Sequence, residues 1–227
     1  MLQQTQVDRV IPFYKHFIAQ FPTAKKLSAA PLSDVLRAWQ GLGYNRRAKL
    51  LQLAAKELTA RKVLTIADLQ TLPGVGPYTA RAVAAFAFNI DSTVIETNIR
   101  TVIIHHFFPS EEKISDAQIE EVLVAALPKG KSRDWYSALM DYGSHLKRSG
   151  ISHNAKSTTH AKQSVFAGSL RQARGAILKE LAKGASTGRQ LAGLLGEARR
   201  EQLRTALDAL AAEGLIARSR SGYALQH

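Results

Sequence analysis

Apolar side chains recur at three- and four-residue spacing over residues 7–21, 32–39, 47–58, 79–88, 98–108, 119–126 and 135–146. That period places one apolar stripe along each segment and predicts seven amphipathic helices. The breaks between them carry Pro22, Pro31, Gly41, Gly43, Pro73, Pro77, Pro109, Pro128 and Gly130, the residues that end helices and make turns. No apolar–polar alternation long enough for a strand occurs before residue 214. The chain up to about residue 165 therefore reads as all-α.

The pattern changes at residues 147–169, which are polar, rich in Ser, Thr and His, and short of apolar positions. This stretch reads as a loop or linker. Three short helical patterns follow, over 171–183, 187–195 and 199–212. Two short strands, 215–218 and 222–225, then flank the basic turn Ser219-Arg220-Ser221. Three helices and a hairpin resemble the winged-helix form of the helix-turn-helix. The expected organisation is an all-α core over 1–146, a basic linker over 147–169, and a small α+β winged-helix domain over 170–227.

Composition narrows the chemistry. The 227 residues contain no cysteine, which excludes disulfides, thiolate zinc sites, iron–sulfur clusters and cysteine nucleophiles. Lys and Arg number 31 against 18 acids, a formal charge of +13. Residues 1–140 hold 17 basic and 12 acidic side chains, and residues 141–227 hold 14 and 6. An excess of this size points to a polyanion, nucleic acid or an anionic membrane. No stretch approaches the roughly 20 apolar residues that span a bilayer, and the first residues lack a signal-peptide pattern. The expectation is a cytoplasmic, nucleoid-associated monomer with no membrane partner. His105, His106, His145, His153 and His160 show no paired ligand spacing, so neither a metal nor another cofactor is expected.

The most specific string is Leu72-Pro73-Gly74-Val75-Gly76-Pro77-Tyr78-Thr79-Ala80. Two glycines one residue apart allow a sharp turn. Pro77 suits the first turn of the next helix. Backbone N–H groups at such a helix start can hold a phosphate oxygen. The alternative is an ordinary helix–turn–helix corner.

This string resembles the helix-hairpin-helix of the endonuclease III superfamily of DNA glycosylases. Met1-Leu2-Gln3-Gln4-Thr5-Gln6-Val7, Trp39-Gln40-Gly41-Leu42-Gly43-Tyr44 and Met140-Asp141-Tyr142-Gly143 look like its MutY-like adenine glycosylase branch. The resemblance covers about residues 1–146. It implies a catalytic carboxylate about twenty residues beyond the hairpin, where Val94-Ile95-Glu96-Thr97-Asn98 stands. Glu96 occupies the family's Asp position, with Asn98 beside it. Breaking an N-glycosidic bond builds oxocarbenium character on the sugar, which a carboxylate stabilises while steering a water. Read without the resemblance, Glu96 is a helix-start residue favoured by the macrodipole.

Tyr78 stands where bifunctional relatives carry a Schiff-base lysine, so the resemblance implies a monofunctional enzyme. It also implies that Gln3, Gln4, Thr5 and Tyr44 probe the strand opposite an extruded base. Further DNA contacts are expected at Arg46, Arg47 and Lys49, at Gly74, Val75, Gly76 and Thr79, and at Lys147 and Arg148. On the winged helix they are expected at Arg199, Arg200 and Arg204.

Three departures stand out against the family. Relatives carry four cysteines for a [4Fe–4S] cluster just after the Met-Asp-x-Gly segment, and this chain has none. The family's general acid, a Glu, lies two residues before the position of Met1, which predicts weak purine excision by the chain as written. A winged helix stands in place of a Nudix-like domain. The leading expectation is a monofunctional glycosylase acting on adenine opposite 8-oxoguanine or guanine in duplex DNA. The alternatives are a thymine or uracil glycosylase acting on T·G and U·G pairs, and a catalytically silent DNA-binding protein.

Overall fold

The structure, a computed structural model, describes residues 1–2, 5–63, 65–159 and 165–227, without the side chain of Glu197. The helices in chain order are α1 (Val7–Gln20), α2 (Ala24–Ala29), α3 (Leu32–Trp39), α4 (Arg46–Ala60), α5 (Ile66–Gln70) and α6 (Pro77–Phe88). They continue as α7 (Thr97–Phe107), α8 (Asp116–Ala126), α9 (Ser132–Arg148), α10 (Leu170–Leu181), α11 (Gly188–Leu195) and α12 (Arg200–Ala212). Strands β1 (Ile216–Ser219) and β2 (Gly222–Leu225) close the chain as an antiparallel pair, Ile216 opposite Leu225. The expected all-α core and small winged-helix element are both present. No helix among the described residues is long and apolar enough to cross a membrane.

The seven patterned segments of the first half match α1, α3, α4, α6, α7, α8 and α9 within a few residues. The helices α2 and α5 escape the pattern because five or six residues are too few to display a 3.6-residue period. Caps define them instead. The Thr23 side chain accepts from the Lys26 N–H, and Thr65 and Asp68 form a reciprocal capping box.

Two compact units are present, and neither is continuous in sequence. The first comprises Met1–Lys62, Leu72–Gly74 and Ser164–His227; the second comprises Val63–Thr71 and Val75–Gln163. In the first unit one hydrophobic core joins the N-terminal helices to the winged-helix elements. Phe17, Val35, Leu36 and Trp39 belong to the same buried cluster as Ile177, Leu191, Leu207, Leu210 and Leu225. Polar ties cross the same junction. Arg37 Nε donates to the Ala182 carbonyl at 3.1 Å, and Lys49 Nζ donates to the carbonyls of Glu213 and Gly214 at 2.7 and 3.3 Å. Sequence predicts segment 170–227 as a separate domain, but its apolar faces are buried partly against α1–α4.

The second unit is built around α7. Ile99, Ile103 and Ile104 are buried with Ile119 and Leu123 of α8, Tyr136 of α9, and Val94 and Ile114. The Tyr136 hydroxyl accepts the buried N–H of Val94 at 3.2 Å, satisfying a backbone donor inside the core. Helices α7 and α9 pack closely at Gly143, where an added Cβ would collide with the backbone carbonyl of Asn98.

The segment after α9 is tied down at several points. Residues Asn154–Lys156 form a 3₁₀ turn, and Ser157 makes a parallel bridge to Ile114. Asp116 accepts from both Arg100 (2.7 Å) and Thr159 (3.2 Å). His105 Nδ1 lies 3.2 Å from His153 Nε2. His160 lies outside the described residues.

Candidate active site and nucleic-acid interface

The turn before α6 has the backbone its glycines foretell. Gly74 takes φ +77°, and a Cβ there would meet Leu50 Cβ at 2.8 Å. Gly76 is the N-cap of α6 and Pro77 its first residue. Both glycines are exposed, Val75 and Thr79 are half-buried, and the next residue, Ala80, is fully buried. The turn therefore presents its backbone and the start of a twelve-residue helix to solvent. Such a surface suits one phosphate.

Glu96 is the N-cap of α7. Its Oε2 accepts the Asn98 N–H at 2.7 Å and its Oε1 accepts the Thr97 hydroxyl at 2.6 Å. Both carboxylate oxygens are therefore fixed, and the charge sits at the positive end of the α7 dipole. Capping does not preclude a chemical role, because a capped carboxylate is held in one position and keeps its charge.

Tyr78, in the first turn of α6, is 43% exposed. Partial burial of its hydroxyl, with the negative charge of Glu96 nearby, raises its pKa. It stays a neutral phenol across physiological pH and has no amine for imine chemistry.

Asn98 links several parts of this site. Its N–H holds Glu96, its carbonyl packs against Gly143, and its side-chain Oδ1 accepts Lys147 Nζ at 2.6 Å. Lys147, expected as a phosphate contact, thus has its ammonium engaged within the second unit. Burial lowers its pKa and Arg100 adds to that, while Glu96 opposes it. Nothing in the one-dimensional pattern pairs residue 98 with residue 147. Gly143, inside an otherwise regular helix, is the one hint of a close approach.

In the first unit, Tyr44 follows the Gly41–Gly43 turn in a left-handed conformation, φ 47°. The Trp39 indole N–H donates to the Gly43 carbonyl at 3.1 Å and sets the turn. The Arg47 guanidinium stacks 5.3 Å from the Tyr44 ring centroid and 5.6 Å from that of Trp39. Arg171 of α10 donates to the Tyr44 hydroxyl at 3.1 Å. A residue from the C-terminal segment thereby braces the proposed strand probe, a link that sequence reading missed.

Thr5 is half-buried, and its N–H donates to the Leu2 carbonyl at 3.3 Å. Gln3 and Gln4 lie outside the described residues. Arg46 is exposed. Lys49 is half-buried, with its ammonium engaged by the Glu213 and Gly214 carbonyls.

On the winged-helix segment, Arg204 is exposed on α12 and Arg200 is exposed at its start. Arg199 is different. It ends a 3₁₀ turn ahead of α12, and its guanidinium bonds Gln202 at 2.6 Å, Gln172 at 3.2 Å and the Ser169 carbonyl at 3.4 Å. It fastens the α10 start to the α12 start and lies ahead of α12, not on it. Arg148 is exposed, with one contact to Ser144 at 3.1 Å.

Residues 1–129 match the HhH-GPD superfamily base excision DNA repair protein family. The chain belongs to this superfamily. The resemblance carried by the Leu72–Ala80 string is thereby borne out. The adenine DNA glycosylase of Mycolicibacterium smegmatis is 35% identical over 246 residues, covering 98% of this chain and 83% of that protein. The adenine DNA glycosylase of Buchnera aphidicola subsp. Baizongia pistaciae is 36% identical over 151 residues, 63% of this chain and 42% of that one. The human adenine DNA glycosylase is 42% identical over 108 residues, 45% of this chain and 20% of its own length. The chain thus spans most of the first and less than half of the other two. Among solved structures, a thermostable thymine-DNA glycosylase superposes with a TM-score of 0.53 at 24% identity, over 63% of this chain and 69% of that one. That likeness concerns the fold alone.

The iron–sulfur cluster that the resemblance implies does not fit this HhH-GPD chain. It requires thiolate ligands, and the sequence has none. Beyond Gly143 helix α9 continues to Arg148 with Leu146 buried. The following segment is held by the Ser157–Ile114 bridge and by Lys156 Nζ on the Pro109 carbonyl at 2.9 Å.

Proposed function

We propose that this chain is a monofunctional DNA glycosylase of base excision repair that removes adenine mispaired with 8-oxoguanine or guanine in duplex DNA. The observation that carries this reading is the 35% identity to an adenine DNA glycosylase over 98% of the chain. The fixed carboxylate at the start of α7 supports it.

In this reading Glu96 stabilises the cationic sugar and steers a water to C1′. Tyr78 lies against the sugar, Asn98 completes the site, and release of the base leaves an abasic product. The exposed turn of Gly74, Val75 and Gly76, with Thr79, grips one phosphate. Thr5 and Tyr44, with Gln3 and Gln4, contact the strand opposite the extruded base. Arg46, Arg148, Arg200 and Arg204 add phosphate contacts, and the winged-helix segment is a second DNA-binding surface. The protein acts as a monomer at the nucleoid, with no cofactor or metal.

The test is strand scission by alkali after incubation with end-labelled duplexes carrying A·8-oxoguanine, A·G, T·G or U·G. Scission at adenine is expected. Scission at thymine or uracil replaces the adenine reading, and gel retention without scission on any duplex marks a silent DNA-binding protein.

A further inference from the structure

Lys147 is a half-buried cation within electrostatic reach of Glu96, and the proposed chemistry has not used it. An ammonium beside a site that stabilises a sugar cation opposes that chemistry, so its placement needs another account. The geometry supplies one. Lysine offers three donors and no acceptor. Its 2.6 Å bond to the Asn98 side chain therefore fixes that amide with oxygen toward Lys147 and the Nδ2 donors turned away. The Asn98 backbone N–H simultaneously holds Glu96 Oε2. Gly143, one helical turn before Lys147 on α9, lacks the Cβ that would push α9 off the Asn98 carbonyl. Three separate contacts thus converge on one residue beside the carboxylate.

We infer that Lys147 is a positioning residue of the base-release site, locking the Asn98 amide so that its Nδ2 donors and the Glu96 carboxylate form one rigid face toward the sugar. This rests on the reading of Glu96 as the carboxylate of a glycosylase. The lowered pKa of Lys147, with burial as its main cause, agrees with an ammonium withdrawn from water. The role differs from a phosphate contact, which would act on all DNA alike.

The test needs no turnover. The wild-type protein, Lys147→Met, Lys147→Arg, Asn98→Ala and Glu96→Gln are titrated with three duplexes: one carrying a pyrrolidine in place of the sugar (a cationic mimic), one a neutral tetrahydrofuran, and one undamaged. Thermal unfolding checks that each variant is folded. The wild type should prefer the pyrrolidine duplex, and Glu96→Gln should lose that preference. Lys147→Met should lose about ten- to a hundredfold of the pyrrolidine-over-tetrahydrofuran preference, the scale of one charge-assisted hydrogen bond. Asn98→Ala should lose a similar factor, a protein carrying both Lys147→Met and Asn98→Ala no more than either alone, and Lys147→Arg should recover part of it.

If Lys147→Met binds the pyrrolidine duplex more tightly, the lysine is only an opposing charge and the inference is wrong. If all three duplexes weaken equally and the salt slope falls by about one, it is a phosphate contact and the inference is again wrong. If the wild type shows no pyrrolidine preference, the glycosylase reading of Glu96 fails and takes this inference with it.

Discussion

The Glu96 carboxylate accepts the N–H of Asn98 two residues ahead at 2.7 Å, so the proposed catalytic anion also caps helix α7. The two roles separate by substitution. Glu96→Gln keeps an acceptor for the cap and removes the charge. Base release should fall about a hundredfold or more, with binding to a mismatched duplex retained and the melting temperature little changed. Glu96→Ala removes both and should also cost about 1 kcal/mol of stability. Single-turnover kinetics and thermal unfolding on both variants read the difference. A Glu96→Gln protein as fast as the wild type removes Glu96 from the mechanism.

Gly143 stands in the interior of α9, where alanine normally stabilises a helix by roughly 0.5–1 kcal/mol. Here the sign should reverse. The added methyl meets the Asn98 carbonyl, so Gly143→Ala should destabilise by about 1–3 kcal/mol, the usual cost of overpacking. Chemical denaturation measures this. A neutral or stabilising result would mean that α7 and α9 lie further apart.

Asp91 accepts the Gly130 N–H and the Ser132 hydroxyl, both at 2.8 Å, and these bonds hold its pKa below the ordinary 3.8. A depressed folded-state pKa contributes stability that is complete above the unfolded pKa and is lost as pH falls through the folded one. The melting-temperature gap between wild type and Asp91→Asn should be constant from pH 8 to about 5 and close below about pH 4. A gap that persists unchanged into strong acid would assign the loss to packing.

Removing residues 170–227 should expose the apolar faces of α1, α3 and α4, because those residues complete their core. The truncated chain should aggregate or lose its cooperative thermal transition, and a folded, monomeric truncation would refute the shared core. DNA binding by the winged-helix segment is better probed by point changes at exposed sites. Arg204→Ala and Arg220→Ala should each lower the slope of log K against log salt by about one without changing stability. An unchanged slope in both would leave the segment as a packing element.

Much of this protein was legible in one dimension. Period-3.6 stripes located the long helices, because a helix that buries one face must repeat its apolar residues at that spacing. Gly74 and Pro77 announced the sharp turn and the start of α6, because a left-handed backbone with no room for a Cβ and a fixed φ are properties of those residues themselves. Glu96 became a candidate only through the family resemblance, which implies a carboxylate about twenty residues beyond the hairpin; its own residue pattern marks no more than a helix start. The absence of cysteine excluded the cluster outright, since no other side chain supplies thiolate.

Tertiary structure decided what depends on long-range packing. The winged-helix pattern of 170–227 is a local property, whereas its burial against α1–α4 depends on complementary surfaces more than a hundred residues apart. Arg199 and Lys49 read as surface cations, yet folding places backbone carbonyls within their reach. The contact of Lys147 with Asn98 arises only where two helices meet at Gly143, so the sequence by itself determined the candidate site's chemical groups and the packing decided which of them touch.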